Sequence, residues 1–279
     1  MIKKLLLTCT GIAFSVTNAI ITFLPESQYL SCKPQVLDSI SDGNWILLCR
    51  VGILGIILML CCIIGWLFRC LWWKRRIQGK DYTIIVQYGD LFKSNNCKKV
   101  VSFDQCFTDE VGDKPWLIKP DSICGQYLTR ISENGKTLNI QKLIEDCGLE
   151  PMRGKSCFKK KDCYKSGSLV PDGNGYLLLA FAKLTDEGLA EITYQEYKEC
   201  LDYLWQEIDK YYGSQSVCIP ILGAGRTRFG ANKPTRQQLL DIMIESYKLS
   251  QYKLRNKYKL YIICKKSDDL SLNKIGQTL

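Results

Sequence analysis

The sequence predicts an α/β protein in which an N-terminal transmembrane helical hairpin precedes a three-layer α/β/α domain with a mixed sheet. Two observations predict this architecture. Apolar residues concentrate at 5–24 and 45–73, whereas most charged residues follow Lys74, so the two parts of the chain face different solvents. Beyond Gly79, short apolar runs rich in β-branched residues alternate with helical patterns, which is typical of a mostly parallel sheet between helix layers.

The first apolar run predicts a transmembrane helix within residues 1–24. Residues 5–24 contain no charged side chain, follow Lys3 and Lys4, and are long enough to cross a bilayer. A secretory signal peptide has the same basic start and apolar run. The sequence favours the membrane span, because no small-x-small motif is followed by a plausible mature start.

The second apolar run predicts another transmembrane helix within residues 45–73. Residues 51–68 are uncharged between Arg50 and Arg69, and at about 1.5 Å per residue they cover roughly 27 Å. Tryptophans stand at both ends of this run, as they do in interfacial aromatic belts. They are Trp45, Trp66, Trp72 and Trp73.

The charges that flank the two runs predict the orientation of the hairpin. The juxtamembrane linker 74–81 is strongly basic, whereas the short loop 25–44 carries Lys33 alone against three acidic residues. Basic flanks stay in the cytoplasm, so the chain has two spans, an external loop and cytoplasmic N- and C-termini. Residues 82–279 then form a cytoplasmic domain.

Small and polar residues recur along the first span at steps of three and four, which places them on one helix face. They are Thr8, Gly11, Ser15, Asn18 and Thr22. Such a polar stripe permits close helix packing and hydrogen bonding within a membrane. It is either the seam between the two spans of one hairpin or the surface through which several chains assemble around a polar pore.

Composition excludes several classes of function. The chain has no histidine, which removes Ser-His-Asp and Cys-His nucleophile pairs and imidazole metal ligands. Its 15 cysteines are irregularly spaced and predict reduced thiols, with no metal site. The net charge of +10 lacks an arginine-aromatic stripe, so no nucleic-acid partner is expected.

Strands and helices alternate through the predicted cytoplasmic domain. Apolar runs predict strands at 82–87, 100–103, 176–183, 217–222 and 258–264. Helical periodicity predicts helices at 121–131, 194–212 and 235–249. Ligands of such sheets bind at the carboxyl ends of the strands.

Two glycine-containing junctions follow predicted strands. Asp90 and Leu91 come after the first strand, and a Gly-rich loop beginning at Gly223 follows the strand 217–222. In that loop, glycines free the backbone to turn N–H groups toward an anion, and Arg226 and Arg228 can add charge-assisted hydrogen bonds. This pattern predicts a phosphate-binding loop. The alternative is a tight strand-to-helix turn with solvated arginines.

The pairing of strand-Gly-Asp-Leu with strand-Gly-x-Gly-x-x-x-Phe-Gly resembles the macro domain, the ADP-ribose-binding α/β/α fold, over residues 82 to about 266. The resemblance implies that Asp90, beside Leu91, hydrogen-bonds the adenine amino group. It also implies that the late loop wraps the diphosphate and distal ribose. That loop is Gly223, Ala224, Gly225, Arg226, Thr227, Arg228 and Phe229.

The sequence departs from catalytic macro domains at two places. Their Asn-Ala-Ala-Asn motif is replaced by Ser102, Phe103, Asp104 and Gln105, and their early Gly-rich loop by a segment around Ser122. These changes imply an ADP-ribose-type binder that is not an enzyme and has no catalytic residues or cofactor. Asp104 can still position a water, which keeps a membrane-anchored ADP-ribosylhydrolase as the alternative, beside a passive reader of ADP-ribosylated proteins.

The whole chain is similar to the membrane-type effectors of bacterial Thoeris anti-phage systems, which join two spans to a divergent macro domain. That resemblance implies a place in the bacterial inner membrane and a nucleotide second messenger, a histidine adduct of ADP-ribose, made by a partner TIR-domain enzyme. It further implies that the bound signal drives homo-oligomerisation and damage to the lipid bilayer.

Overall fold

The computed structural model describes residues 2–34, 40–135, 138–154, 156–230 and 233–278, without the side chains at 2–9 and 66–72. The chain divides into two compact units, Met1–Trp73 and Lys74–Leu279. The first contains the predicted membrane segments. The second contains the predicted α/β domain.

The N-terminal unit consists of helices α1 (Ile2–Phe23), α2 (Glu26–Ser31) and α3 (Asp42–Trp72), with α1 and α2 both packed on α3. Within α3, Asp42–Gly65 is long and apolar enough to cross a membrane, with a mean hydropathy of 2.8. The apolar part of α1 in the described residues, Thr10–Phe23, is shorter. The structure thus supports one candidate span by length and composition, and the two-span hairpin stays a prediction.

Residues 25–44, predicted as a short loop, contain a helix between the two long helices. Residues 35–39 of this segment lie outside the described residues. Helix α2 begins in it and is fixed to α3 by the Trp45 indole, which donates to the Tyr29 carbonyl at 2.8 Å. Two ion pairs add to this contact. They are Arg50–Glu26 at 3.2 Å and Lys33–Asp42 at 2.9 Å.

The face of α1 that packs within the unit differs from the predicted polar stripe. Ala13 and Thr17 are buried, and the Thr17 hydroxyl donates to the Ala13 carbonyl at 2.7 Å. The stripe residues with described side chains are exposed; they are Gly11, Ser15, Asn18 and Thr22. The Thr8 side chain lies outside the described residues. In this structure the stripe is therefore exposed, and a different face of α1 supplies the contact within the unit.

The second unit is built on one mixed sheet, which has eight strands in the described residues. They are β1 (Lys74–Gln78), β2 (Thr83–Tyr88), β3 (Cys97–Asp104), β4 (Leu169–Pro171), β5 (Tyr176–Leu184), β6 (Ala190–Glu191), β7 (Ser216–Pro220) and β8 (Leu260–Cys264). The order is β1-β2-β8-β7-β3-β5-β4, with β6 paired to β5. The five central strands are parallel, and β1, β4 and β6 are antiparallel to their neighbours.

Helices cover both faces of this sheet. Helices α6 (Tyr194–Tyr211) and α7 (Arg236–Leu249) pack on one face, and α4 (Ile123–Glu133) and α5 (Ile140–Asp146) on the other. Burial on both faces explains the unbroken apolar run in β5, where Leu177 joins one core and Leu178 the other. The predicted three-layer α/β/α domain with a mixed sheet is confirmed.

Two expectations about the second unit are corrected. The basic segment 74–81, predicted as a linker, contains β1, whose exposed charged side chains suit the edge of a sheet. The prediction that all cysteines are reduced thiols is wrong for Cys97 and Cys218. These residues lie on the neighbouring strands β3 and β7 and form a disulfide with a Cα–Cα distance of 6.0 Å.

Candidate functional site

The carboxyl ends of β2, β8 and β7 meet at one edge of the sheet. Tyr88 of β2 is in register with Cys264 of β8, whose neighbour Ile263 is in register with Pro220 of β7. Because adjacent strands lie about 4.8 Å apart, the residues that follow β2 and β7 begin roughly 10 Å from each other. Both predicted glycine junctions therefore lie at the same edge.

Asp90 lies two residues after the end of β2 and is exposed. The preceding N–H, of Gly89, donates to the Cys264 carbonyl at 3.0 Å and extends the pairing with β8 to the end of the strand. The Asp90 carboxylate accepts from the Phe92 N–H at 2.9 Å and so caps a 3-10 turn, Leu91–Lys93. Leu91 is buried and anchors this turn. The local fold thus fixes the Asp90 side chain at the sheet edge in an exposed position.

Gly223 is the position in the late loop where the backbone requires glycine. Its φ is +76°, and a Cβ there would lie 2.6 Å from the ring of Phe229. The loop folds back so that Phe229 is buried edge-to-face against Tyr197, with ring centroids 5.5 Å apart. The Tyr197 hydroxyl in turn donates to the Leu222 carbonyl at 3.3 Å. These contacts of Tyr197 with Phe229 and Leu222 hold both ends of the loop in place.

The tip of the late loop is open and cationic. A Cβ on Gly225 would meet nothing within 4 Å, and Arg226 beside it is exposed. The Lys233 ammonium donates to the Gly225 carbonyl, and burial together with the neighbouring Arg236 lowers the pKa of Lys233. Such a tip can accept an anion on its outer side.

The remaining residues of the late loop have distinct positions. Ala224 packs against the main core, Thr227 is half-buried and the Arg228 side chain is exposed. The Arg228 backbone is fixed on both sides, since its N–H donates to Ala190 and its carbonyl accepts from Ile192, each at 2.9 Å. The loop is therefore a stiff connection that presents two exposed arginine side chains.

Ser122 caps helix α4 next to the late loop. Its hydroxyl accepts from the Gly125 N–H at 3.0 Å and lies 2.6 Å from the Lys119 carbonyl, to which it donates. Gly125 is required there, because a Cβ would lie 2.2 Å from the Lys119 carbonyl oxygen. The residue before the cap, Asp121, forms an ion pair with Arg226 at 3.4 Å. The segment that replaces the early Gly-rich loop of macro domains is therefore in contact with the predicted phosphate-binding loop.

The segment after β3 is organised by Asp104. Its carboxylate accepts from the Cys106 N–H at 2.8 Å, the Thr108 N–H at 3.2 Å and the Thr108 hydroxyl. Burial raises the pKa of Asp104, and these hydrogen bonds partly oppose the rise. The carboxylate thus has three local donors, as expected of a side chain that caps a turn.

The other residues of the predicted 102–105 segment divide between core and backbone roles. Phe103 is buried edge-to-face against Tyr127, with centroids 6.2 Å apart, whereas Ser102 is half-buried. The Gln105 N–H donates to Ala182 and its carbonyl accepts from Tyr164, each at 2.8 Å. Phe103 is therefore a core residue of the face that carries α4.

Asp121 and Lys233 contact the late loop and were not predicted as site residues. An acidic residue before an N-cap and a lysine after a glycine loop are common in solvated loops, so neither gave a signal. Among the residues that the structure describes, no cluster of three or more cysteine, histidine or acidic side chains is arranged to hold a metal ion.

Residues 84–265 match the model of the family described as Thoeris protein ThsA, Macro domain. The chain belongs to this family. Membership confirms the resemblance to a Thoeris macro-domain protein. Over 193 residues the chain is 29% identical to the Thoeris protein ThsA of Bacillus amyloliquefaciens (strain Y2), and the match covers 67% of this chain and 64% of that protein. It spans less than two thirds of that relative's length.

Solved macrodomains of Oceanobacillus iheyensis are also similar to this ThsA-family chain. A glycine-to-valine mutant with ADPR aligns with 10% identity and a TM-score of 0.42, covering 70% of this chain and 92% of that one. A structure with ADP aligns with 10% identity and a TM-score of 0.39, covering 70% and 90%.

Proposed function

We propose that this ThsA-family chain is a ligand-gated membrane effector of anti-phage defence. Its macro domain binds an ADP-ribose-derived nucleotide, and the bound state drives self-assembly of the N-terminal unit and disruption of the bacterial inner membrane. By the same proposal, the signal is a histidine adduct of ADP-ribose made by a partner TIR-domain enzyme.

The observation that carries the proposal is the arrangement of the sheet edge. An exposed carboxylate, Asp90, and a preordered cationic loop at Gly225 and Arg226 flank the end of β8. A carboxylate accepts hydrogen bonds from an exocyclic amino group, while backbone N–H groups and guanidinium bind phosphate oxygens. An adenine nucleotide with a diphosphate carries both kinds of group. The spacing of the two loops suits a ligand that extends along the edge.

The environment of Asp104 supports binding without turnover. A general base must have an acceptor oxygen free to receive a proton from water. Here three donors from the following turn already contact the carboxylate and take up most of its roughly four acceptor sites. A membrane-anchored ADP-ribosylhydrolase, the competing function, requires a water at the remaining acceptor site of Asp104 or release of Asp104 from this turn. That function predicts turnover of an ADP-ribosylated protein, which is lost in Asp104→Ala.

The N-terminal unit supplies the output in this proposal. Its helix α3 contains a candidate span, and the small and polar stripe of α1 is directed away from the contact with α3. An unused face of this composition suits helix packing between chains within a bilayer. A ligand shifts assembly only if it binds the assembled state more tightly than the resting state. Coupling between binding and assembly is therefore part of the proposal.

Calorimetry on the full-length protein in detergent tests the binding half. We expect heat of binding for ADP-ribose or its histidine adduct, and loss of that heat in Asp90→Ala and Gly225→Glu. Because the Gly225 Cβ position is open, Gly225→Glu should fold normally and repel the diphosphate by charge. Gly225→Gln, of the same size, controls for bulk and should retain binding.

Absence of measurable affinity for ADP-ribose and its amino-acid adducts in the folded wild-type protein contradicts the proposal. Equal loss of binding in Gly225→Gln and Gly225→Glu contradicts the diphosphate assignment of the loop. Binding that is retained in Asp90→Ala contradicts the adenine assignment of that residue.

A further inference from the structure

Two free cysteines face each other beyond the carboxyl end of β3. The sulfur atoms of Cys106 and Cys163 are 3.2 Å apart, compared with about 2.05 Å for a covalent disulfide. Cys106 is buried and Cys163 is half-buried. They are thiols in contact, separated by 57 positions along the chain.

The backbone holds these two thiols in place. The Tyr164 N–H donates to the Gln105 carbonyl at 2.8 Å, which joins the direct neighbours of the two cysteines. On one side, the Cys106 N–H is fixed to Asp104; on the other, the Cys163 carbonyl accepts from Met152 at 2.8 Å. The contact is therefore part of the framework, and a short movement of side chains brings the sulfurs to bonding distance.

A cavity reaches one member of this pair, Cys106. It has a volume of about 530 Å³ and is lined on one side by Cys106, Lys160 and Lys161. Burial and the hydrogen bond with Cys163 raise the pKa of Cys106 to about 12, which keeps it a thiol at neutral pH. Cys163 lies between the cavity-lining residues Asp162 and Tyr164 and is more exposed than Cys106, so we expect a small oxidant to meet its sulfur first.

We propose that Cys106 and Cys163 form a dithiol modification site that hydroperoxides convert to a disulfide. The inference does not depend on the proposed nucleotide function, and the site is separate from the disulfide at the start of β3. Oxidation covalently joins the turn after β3 to the segment 156–165, next to Asp104.

The chemistry is a two-electron oxidation with a named oxidant. The Cys163 thiolate attacks a peroxide oxygen, the O–O bond breaks, and Cys163 becomes a sulfenic acid while one water forms. The Cys106 sulfur then attacks the Cys163 sulfur, the S–O bond breaks, and the released hydroxide takes the Cys106 proton. Both thiols are oxidised and one hydrogen peroxide is reduced to two waters.

Peptide mapping of the full-length protein in detergent tests the proposal. The protein is treated with hydrogen peroxide, remaining thiols are alkylated, and trypsin digestion without reductant is followed by mass spectrometry. Cleavage after Lys159, Lys161 and Lys165 places Cys157 and Cys163 in different peptides. Lys114 and Lys119 precede prolines, so residues 100–130 stay in one peptide that carries both Cys106 and Cys124. We expect this peptide, alkylated at Cys124, to be linked to residues 162–165, with fragment ions that place the link at Cys106 and loss of the link on reduction.

Variants separate this pair from other cysteines. Cys163→Ser should abolish the linked pair and leave Cys106 open to alkylation, whereas Cys157→Ser, an exposed cysteine in the same segment, should retain it. The pairing can also be tested in the wild-type protein without a substitution. A trivalent arsenical bridges two neighbouring thiols, so treatment with it before peroxide should prevent the Cys106–Cys163 cross-link. The proposal is overturned if Cys106 and Cys163 stay alkylatable while Cys157 is oxidised, or if Cys163 links to another cysteine.

Discussion

At the scale of single residues, the late loop depends on the left-handed backbone of Gly223. We expect Gly223→Ala to lower the free energy of unfolding by about 2 kcal/mol or more, because its methyl group meets the Phe229 ring and its φ disfavours side chains. Gly225→Ala is the matched control and should change it by no more than about 0.5 kcal/mol. Denaturant titration followed by tryptophan fluorescence measures both. Equal effects of the two substitutions would contradict the described loop.

Asp104 predicts a specific pH dependence at the same scale. Its folded pKa is raised above the ordinary value of 3.8, so the folded state holds the proton more tightly than the unfolded state. Its stabilising contribution is full below pH 3.8 and is lost as pH rises through the folded pKa. Relative to Asp104→Asn, wild-type protein should therefore gain stability on acidification from neutral pH.

Unfolding midpoints of wild type and Asp104→Asn, compared at several pH values, measure this difference, because shifts from other groups cancel. Asp109→Asn, an exposed carboxylate close by, is the control and should track the wild type. If the difference between wild type and Asp104→Asn is constant with pH, Asp104 is not a desolvated carboxyl.

At the scale of elements, the ion pair between Asp121 and Arg226 links the cap of α4 to the late loop. Both side chains are largely exposed, so the pair stabilises the fold by no more than about 1 kcal/mol. We expect Arg226→Ala to weaken ADP-ribose binding about ten- to hundredfold, which corresponds to one charge-assisted hydrogen bond of about 1.5–3 kcal/mol. Asp121→Asn frees the guanidinium and should leave binding unchanged or tighter. Weaker binding in Asp121→Asn alone would contradict a phosphate role for Arg226.

The central strands and long helices were predictable because burial sets their sequence pattern. Strands β2, β5, β7 and β8 are apolar runs, and α6 carries the predicted buried face of Tyr197, Leu201 and Trp205. The glycine junctions were predictable as well, since Gly223 has a backbone that only glycine adopts readily. These features are local, and local sequence is enough to specify them.

What the sequence did not predict depends on contacts between distant residues. Strand β1 is made mostly of charged residues and directly follows a predicted membrane segment, so its sequence did not indicate a strand. Strands β4 and β6 have three and two residues, which is too short to show the alternation of apolar and polar residues typical of a strand. The Cys97–Cys218 disulfide joins residues 121 positions apart, and spacing gave no reason to pair them. The seam of α1 at Ala13 and Thr17 could not be distinguished from the neighbouring polar stripe by composition.

In the whole molecule, the macro domain is the proposed sensor and the N-terminal unit is the proposed output, and self-assembly couples the two. The exposed stripe of α1 is the proposed contact between chains, whereas Thr17 serves the contact with α3 inside one chain. Asn18→Leu should therefore abolish membrane damage while ADP-ribose binding is retained. Phe14→Leu, an exposed apolar position on the same helix, is the control and should leave both activities intact.

The central claim is that nucleotide binding by the macro domain opens the membrane. The most direct measurement is dye release from vesicles that contain the full-length protein, with and without the histidine adduct of ADP-ribose. We expect release by wild type only when the adduct is present, and none by Asp90→Ala or Arg226→Ala at the same protein density. Dye release that does not depend on the adduct would contradict this mechanism. So would a wild-type protein that binds the adduct and releases no dye.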